Sequence, residues 1–147
     1  MDADRTFHTS RRFACSPREV YDAFVTAETI SAWWGPDGFT NTFEIFEAVP
    51  GGRWKLTMHG PDGTNYPNEN VITVLEPGSR WAIQHVSVPR FTLAVELSEM
   101  EDGTPLDWTQ VFADGRTADA VRHIVEPANE QNLDTLGVCL KAVRERS

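Results

Sequence analysis

Residues 91–112, FTLAVELSEMEDGTPLDWTQVF, decide the fold of this chain. Apolar residues occupy every second position from residue 91 to residue 97, and the alternation continues in Leu106, Trp108, Gln110 and Phe112, where Gln110 is the one polar member. This period of two is typical of β-strands that bury one face. The intervening Glu101-Asp102-Gly103 predicts a tight turn. The stretch is therefore predicted to be an antiparallel hairpin whose single apolar face needs a cover.

The same alternation extends toward the N-terminus. It predicts strands over residues 42–46, 53–58, 71–75 and 81–88, separated by turns such as Pro50-Gly51-Gly52 and Pro77-Gly78. Residues 5–13 give one further strand at the start of the chain. Because the connections are short, we expect an antiparallel meander.

Helical patterns occur on both sides of this meander. Ser16-Pro17-Arg18-Glu19 predicts a helix start with a capping box, and a second short helix is predicted over residues 27–34. The final helix is predicted to begin at Glu126-Pro127, with the proline in its first turn. Residues 117–125 are either a short helix or an ordered approach to it. The apolar stripe of the final helix consists of Leu133, Leu136, Leu140 and Val143.

This long C-terminal helix is the natural cover for the apolar face of the sheet. We therefore expect one domain over residues 1–147 with an α+β helix-grip architecture. A curved antiparallel sheet would wrap around the C-terminal helix, with two short helices after the first strand. One helix cannot fill the concavity of a wide, curved sheet, so space is expected between them.

Composition excludes several classes of protein. The chain has 147 residues and a net charge of −9, from 22 acidic and 13 basic residues. This balance argues against nucleic acid or an anionic membrane as partner. No apolar run is long enough to span a bilayer and residues 1–5 do not resemble a signal peptide, so a cytoplasmic location is expected. Cys15 and Cys139 match no zinc pattern and are expected to be buried free thiols.

Three short motifs resemble those of the Hsp90-ATPase-activator-like family, which belongs to the START/Bet v 1-like (SRPBCC) superfamily. They are Trp33-Trp34-Gly35-Pro36, Pro50-Gly51-Gly52-Arg53-Trp54 and Gly60-Pro61-Asp62-Gly63. The resemblance extends over residues 5–143 and implies a deep apolar cavity between sheet and final helix. It says less about chemistry, because members include binding proteins and polyketide aromatase/cyclases. The name-giving co-chaperone has a further domain for which this chain has no room, so an Hsp90-type chaperone is not an expected partner.

This sequence departs from the family pattern at two places. Members often carry a glycine where residues 68–70 read Asn-Glu-Asn, and a Gly-Trp pair where residues 126–130 read Glu-Pro-Ala-Asn-Glu. The first change affects a strand at the cavity entrance, and the second affects how the final helix seals the cavity.

The alternating sheet face and the final helix supply the candidate ligand-binding residues. Among them His85 and Gln110 are polar, and buried polar groups need partners. The partner is a ligand carbonyl or hydroxyl, or else backbone, a neighbouring side chain or each other. The predicted set is Trp34, Trp54, Leu56, Met58, Ile72, Trp81, Ile83, His85, Leu93, Val95, Trp108, Gln110, Phe112, Leu133, Leu136 and Leu140.

Three functions are consistent with this pattern. The first is binding of a small hydrophobic or aromatic molecule. The second is a cyclase- or hydratase-type reaction in the same cavity, with His85 as acid and base. The third is an Hsp90-cochaperone-like interaction module. No other catalytic residue, cofactor or metal site is predicted, since His123 and Glu126 have the spacing of a metal pair but no third ligand. A homodimer is left open.

Overall fold

The structure, a computed structural model, describes residues 5–146. Within them, seven strands and three helices follow one another along the chain. Their order is β1 (Thr6–Phe13), α1 (Pro17–Val25), α2 (Ala27–Trp33), β2 (Thr40–Phe46), β3 (Arg53–His59), β4 (Asn65–Glu76), β5 (Arg80–His85), β6 (Phe91–Leu97), β7 (Thr104–Phe112) and α3 (Gly115–Arg146).

The seven strands form one antiparallel sheet in the order β1-β7-β6-β5-β4-β3-β2. Strands β2 to β7 are a meander, and β1 pairs with β7 at the far edge. The register shifts within β2 and within β4, and such bulges bend a sheet. The curved sheet with one long helix on its concave face confirms the predicted helix-grip α+β fold.

The two short helices follow local sequence rules. Ser16 Oγ accepts a hydrogen bond from Glu19 N at 3.1 Å, and Glu19 Oε1 accepts one from Ser16 N at 2.9 Å. This capping box, with Pro17 at the first helical position, starts α1 as predicted. Helix α2 ends before Gly35, whose φ of 102° lies in the region that favours glycine.

The start of the final helix was predicted wrongly. Helix α3 begins at Gly115, not at Glu126, and Pro127 lies inside it. Asp114 accounts for the earlier start, because its Oδ1 accepts a hydrogen bond from Thr117 N at 2.7 Å. The first half of the helix buries Ala118 in an apolar cluster, and this packing offsets the hydrogen bond that proline cannot make.

Two strand boundaries differ from the prediction by three residues or more, and the others by at most two. Strand β4 begins at Asn65 rather than at residue 71, although it contains Pro67. Residues 65–68 pair with β3 alone, and an edge tolerates a residue without an N–H. Strand β5 ends at His85 rather than at residue 88, because the following loop turns the carbonyl of Pro89 toward the His85 ring.

Tryptophans fill the part of the core nearest to α1 and α2. Trp33 is buried and donates from Nε1 to Ala23 O at 3.0 Å. Trp81 packs against Phe24 with ring centroids 4.7 Å apart, and against Trp54 at 5.6 Å. This end of the concave face is therefore filled by packed side chains.

The expectation that both cysteines are buried holds for Cys15 only, because Cys139 is half-buried. In residues 5–146 no helix combines the length and the apolar character needed to cross a membrane.

Candidate functional site

A cavity of about 210 Å³ lies between the concave sheet face and the middle of α3. The strands β3 to β7, the segment after α2 and the loop after β5 complete its wall. The lining residues are Trp34, Gly35, Pro36, Met58, Asn68, Asn70, His85, Pro89, Phe91, Leu93, Trp108, Gln110, Val125, Ala128, Asn129 and Asn132.

Cross-strand pairing explains why the polar members of the wall lie close together. Asn70 of β4 pairs with His85 of β5, which pairs with Phe91 of β6. In the next row, Leu93 pairs with Gln110 of β7. Cross-strand neighbours point to the same face of a sheet, so these side chains all project toward α3.

Aromatic rings form two parts of the wall. Trp34 and Trp108 have ring centroids 6.3 Å apart with an interplanar angle of 35°. The carbonyl of Trp34 accepts a hydrogen bond from Asn41 Nδ2 at 2.7 Å, which fixes the segment after α2. On the opposite part, His85 stacks on Phe91 at 4.5 Å with an angle of 9°. The cavity therefore presents flat apolar surfaces.

Both ring nitrogens of His85 are occupied by protein groups. Nδ1 donates to Pro89 O at 2.7 Å, and Nε2 lies 2.6 Å from Asn68 Oδ1 and 3.2 Å from Ser87 Oγ. Burial lowers the pKa of His85 below its ordinary value, and the hydrogen bonds to Pro89 and Ser87 offset this only in part. The imidazole is thus held in place by the loop after β5.

Two amides of α3 join the helix to the rest of the wall. Asn129 Nδ2 donates to Gln110 Oε1 at 3.0 Å, which links α3 to β7. Asn132 Oδ1 accepts from Gly35 N at 2.8 Å, while its Nδ2 donates to Ala128 O at 3.1 Å. These hydrogen bonds fix the helix relative to the sheet and to the segment after α2.

Asn70 differs from the other amides of the wall. Its side chain is only 2% exposed, and its Oδ1 is buried without a hydrogen-bond partner among the described residues. The buried indole nitrogens of Trp54, Trp81 and Trp108 also lack an acceptor there, and of these three residues only Trp108 lines the cavity. A buried amide oxygen without a partner lowers the stability of the fold by about 1–3 kcal/mol, so Asn70 is a destabilising residue at this position.

The cavity wall carries no Asp, Glu, Lys or Arg among its lining residues. Ion pairs lie outside it, for example Arg11 of β1 with Glu130 and Asp134 of α3, each at 2.8 Å. In residues 5–146 no group of three or more His, Cys, Asp or Glu side chains could hold a metal ion. His123 and Glu126 are both exposed on α3, where they have solvent around them.

The structure brings six of the sixteen predicted ligand-binding residues to the cavity wall, namely Trp34, Met58, His85, Leu93, Trp108 and Gln110. The two adjacent tryptophans lie in different places, since Trp33 is buried in the core and Trp34 lies at the cavity. Contact with a ligand stays a prediction for all six.

The other ten predicted residues do not line this cavity, although some pack against its wall, such as Trp54 against Trp34 at 5.4 Å and Phe112 against Phe91 at 5.3 Å. The alternating pattern does not decide whether an inward-facing indole fills the core or lines a cavity, and those of Trp54 and Trp81 fill the core. Leu140 instead borders a groove of about 510 Å³ at the far end of α3. The ten are Trp54, Leu56, Ile72, Trp81, Ile83, Val95, Phe112, Leu133, Leu136 and Leu140.

Gly137 borders the same groove. A Cβ at this position would meet the ring of Phe13 at 3.4 Å, which is an ordinary van der Waals contact, so the packing of α3 on β1 does not require glycine here. The groove is bordered by Lys141 and Glu145, and its wall lacks the convergent amides of the smaller cavity. We therefore take the cavity at the middle of α3 as the candidate site.

Sequence reasoning missed Asn68, Asn70, Asn129 and Asn132 as site residues. The sequence did indicate their position, because Asn70 lies two residues before Ile72 on β4 and so points to the same inner face of the sheet. On α3, Asn129 and Asn132 precede Leu133 and Leu136 by four residues each and so share the apolar stripe. Amides on inward positions are therefore the mark of this site.

Comparison with solved structures identifies the fold. A protein from Nitrosomonas europaea is 18% identical with a TM-score of 0.90, over 99% of each chain. A protein from Rhodobacter sphaeroides is 24% identical with a TM-score of 0.83, over 95% of this chain and 93% of that chain. An AHSA1-like protein from Aeromonas hydrophila is 16% identical with a TM-score of 0.72, over 94% and 93%.

Sequence comparison adds the family. No curated protein matches the chain. The model of the family described as "Activator of Hsp90 ATPase homolog 1-like protein" matches residues 14–141, which is well over half of the chain. This match includes all three short motifs and the whole cavity wall. The chain belongs to the Activator of Hsp90 ATPase homolog 1-like protein family, within the Bet v 1-like (SRPBCC) fold.

Proposed function

We propose that the protein binds a small, neutral, largely apolar molecule in the cavity between the sheet and the middle of α3. The observation that carries this proposal is the wall itself. Flat aromatic surfaces from Trp34, Trp108 and Phe91 meet a few convergent amides there, and this combination is typical of small-molecule sites. Family membership supports it, because members usually have a ligand-binding cavity.

An acid–base role for His85 receives less support from the geometry. A general base needs a nitrogen within hydrogen-bond reach of the substrate. In His85, Nδ1 donates to Pro89 O and Nε2 faces Asn68 and Ser87. We therefore propose binding, with His85 as a fixed part of the wall, ahead of a cyclase or hydratase reaction.

A protein-interaction role also receives little support. Such a role favours a contiguous exposed apolar patch. The exposed large apolar side chains of the described residues are spread over three loops, β4 and α3 instead. They are Val49, Tyr66, Val88, Met100, Ile124, Val138 and Val143.

Cavity filling tests the proposal directly. Ala128→Leu adds three carbons at the cavity wall, and Ala120→Leu adds the same atoms at an exposed position of the same helix. Toluene is the probe, and binding is followed by the NMR shifts of the indole N–H groups of Trp34 and Trp108. The wild type and A120L are expected to bind with similar Kd, and A128L at least tenfold more weakly.

Two results would contradict the proposal. One is the absence of toluene-induced shifts in the wild type, and the other is an equal Kd in A128L and A120L. Circular dichroism verifies that both variants fold, and Val125→Phe fills the same cavity if A128L does not. Native mass spectrometry of the purified protein would also reveal a co-purifying small molecule.

A further inference from the structure

We propose that the ligand is a neutral, planar, one-ring molecule that presents a carbonyl-type oxygen to the side-chain amide of Asn70. This inference rests on the proposed function and names the chemical class of its ligand. It makes Asn70 a specificity-determining residue. Four features of the wall lead to it.

The first feature is the orientation of Asn70. The side chain lines the cavity, but its Oδ1 is fully buried and has no partner in residues 5–146. The amino end is therefore the end that faces the cavity, and no hydrogen bond occupies it in the described residues. A ligand atom that meets this group must accept a hydrogen bond.

The second feature is that Gln110 offers the same kind of group. Its Oε1 already accepts from Asn129 Nδ2 at 3.0 Å, which leaves the Gln110 NH2 end without a partner among the described residues. The neighbouring polar groups are used internally, since Asn132 and His85 both have their hydrogen bonds within the protein. Among the side-chain donors of the wall, the NH2 groups of Asn70 and Gln110 and the indole N–H of Trp108 thus stay unused within the described residues.

The third feature is charge. No lining residue is acidic or basic apart from His85, whose pKa is lowered by burial. Burying an anion without a cationic partner, or a cation without a carboxylate, is strongly unfavourable. The ligand oxygen therefore belongs to a neutral group, such as a ketone, ester, lactone or amide carbonyl, rather than to a carboxylate.

The fourth feature is size and shape. An apolar protein cavity of about 150 Å³ accommodates benzene, so the cavity of about 210 Å³ suits one ring with a small substituent. The flat surfaces of Trp34, Trp108 and Phe91 favour a planar ring.

Two probes of the same shape test the inference. Acetophenone carries a carbonyl group where α-methylstyrene carries a C=CH2 group. The Kd of each is measured by NMR titration for the wild type and for Asn70→Leu, an isosteric variant that lacks the amide. Relative to α-methylstyrene, acetophenone is expected to lose about fivefold in affinity in N70L, which is the effect of one hydrogen bond.

A second measurement does not depend on the variant. In the wild type, acetophenone is expected to shift the side-chain amide resonances of Asn70, and α-methylstyrene to leave them nearly in place. Benzoate and benzylammonium are titrated alongside as charged probes of similar size, and both are expected to bind more weakly than acetophenone.

The outcomes separate the two proposals. If neither neutral probe binds, the proposed function fails and this inference fails with it. If both bind but their affinity ratio is the same in N70L, or if a charged probe binds more tightly than acetophenone, only the inference is overturned.

Discussion

Asn70 and Asn132 show how differently two buried amides of one wall contribute to stability. Asn132 exchanges hydrogen bonds with Gly35 and Ala128, whereas Asn70 Oδ1 has no partner among the described residues. Asn70→Leu should therefore raise the free energy of unfolding by about 1 kcal/mol, because it removes an unsatisfied buried group. Asn132→Leu should lower it by about 1–3 kcal/mol, because the N–H of Gly35 loses its acceptor.

Urea denaturation of both variants checks this matched pair. Equal destabilisation by the two substitutions would show that Asn70 makes a stabilising contact. That result would also remove the reason for regarding Asn70 as a residue kept for binding.

His85 predicts a dependence of stability on pH. Its pKa is lowered in the folded protein by burial, so the unfolded chain binds a proton more readily. The contribution of neutral His85 is complete above its ordinary value of 6.5 and is lost as the pH falls toward the lower, folded value. Between pH 7.5 and pH 5.5, the free energy of unfolding should decrease more in the wild type than in His85→Gln.

Urea denaturation at three pH values checks this, and comparing the two proteins cancels the contribution of the carboxylates. Parallel pH profiles would contradict the lowered pKa. An NMR titration of the His85 ring in the folded protein shows independently whether its pKa is lowered.

Single residues were predictable where a local rule applied. The Trp33-Trp34 pair sits on one short helix end, and adjacent helical residues point in different directions, so one buried and one cavity-facing ring could be expected. Asn70 follows no such rule. The alternation in the sequence shows that Asn70 faces inward. It does not show that Asn70 Oδ1 lacks a hydrogen-bond partner, because this depends on which groups the loop after β5 brings to the neighbouring side chains.

Pro127 gives the clearest prediction at the level of a helix. It lies exposed inside α3, where it cannot donate the hydrogen bond of a helical N–H, and where its ring disfavours straight helix. Pro127→Ala should therefore raise the free energy of unfolding by about 1–3 kcal/mol. Pro17→Ala is the matched control, since the proline at the start of α1 occupies a position where no such bond is lost.

Thermal and urea denaturation of the two variants checks the comparison. If P127A were no more stable than P17A, packing around the proline would have to compensate for the missing hydrogen bond. Val125, two residues before the proline, and Ala128, directly after it, both line the cavity. Toluene binding should therefore be measured in P127A as well.

The elements themselves were largely readable from sequence. Alternation marked the strands because each one buries a single face, and the capping box marked α1. The start of α3 was missed because Pro127 suggests a beginning, whereas the cap at Asp114 and the burial of Ala118 determine it. The early part of β4 was missed because Pro67 argues against a strand, and only the sheet order shows that one edge is open there.

At the scale of the whole molecule, the fold was predictable but the location of its free space was not. One helix on a curved sheet had to leave room somewhere. The indoles of Trp54 and Trp81, together with Trp33 and Phe24, close the end near α1 and α2. The cavity remains at the other end, beside the amides of α3. This outcome depends on side-chain rotamers and strand curvature, which sequence patterns do not specify.

The net charge of −9 leads to the last prediction. The compact state concentrates this charge, and its self-repulsion should be screened as ionic strength rises. Exposed ion pairs such as Arg12 with Asp102 are screened as well, but each contributes little. Raising NaCl from 20 to 200 mM should therefore increase Tm by about 2–4 °C, which corresponds to about 1 kcal/mol for a chain of this size.

A variant of the acidic β6–β7 turn provides the control for this salt effect. Glu99 and Glu101 are exposed, and the double change Glu99→Lys and Glu101→Lys makes the net charge less negative by four units. This variant should have a higher Tm at 20 mM NaCl and a smaller gain on adding salt. A fall in Tm with salt in the wild type would instead mean that ion pairs dominate, above all those of Arg11 with Glu130 and Asp134, which hold β1 to α3. In that case Arg11→Met should remove the salt dependence, because it keeps most of the apolar stem and deletes both pairs.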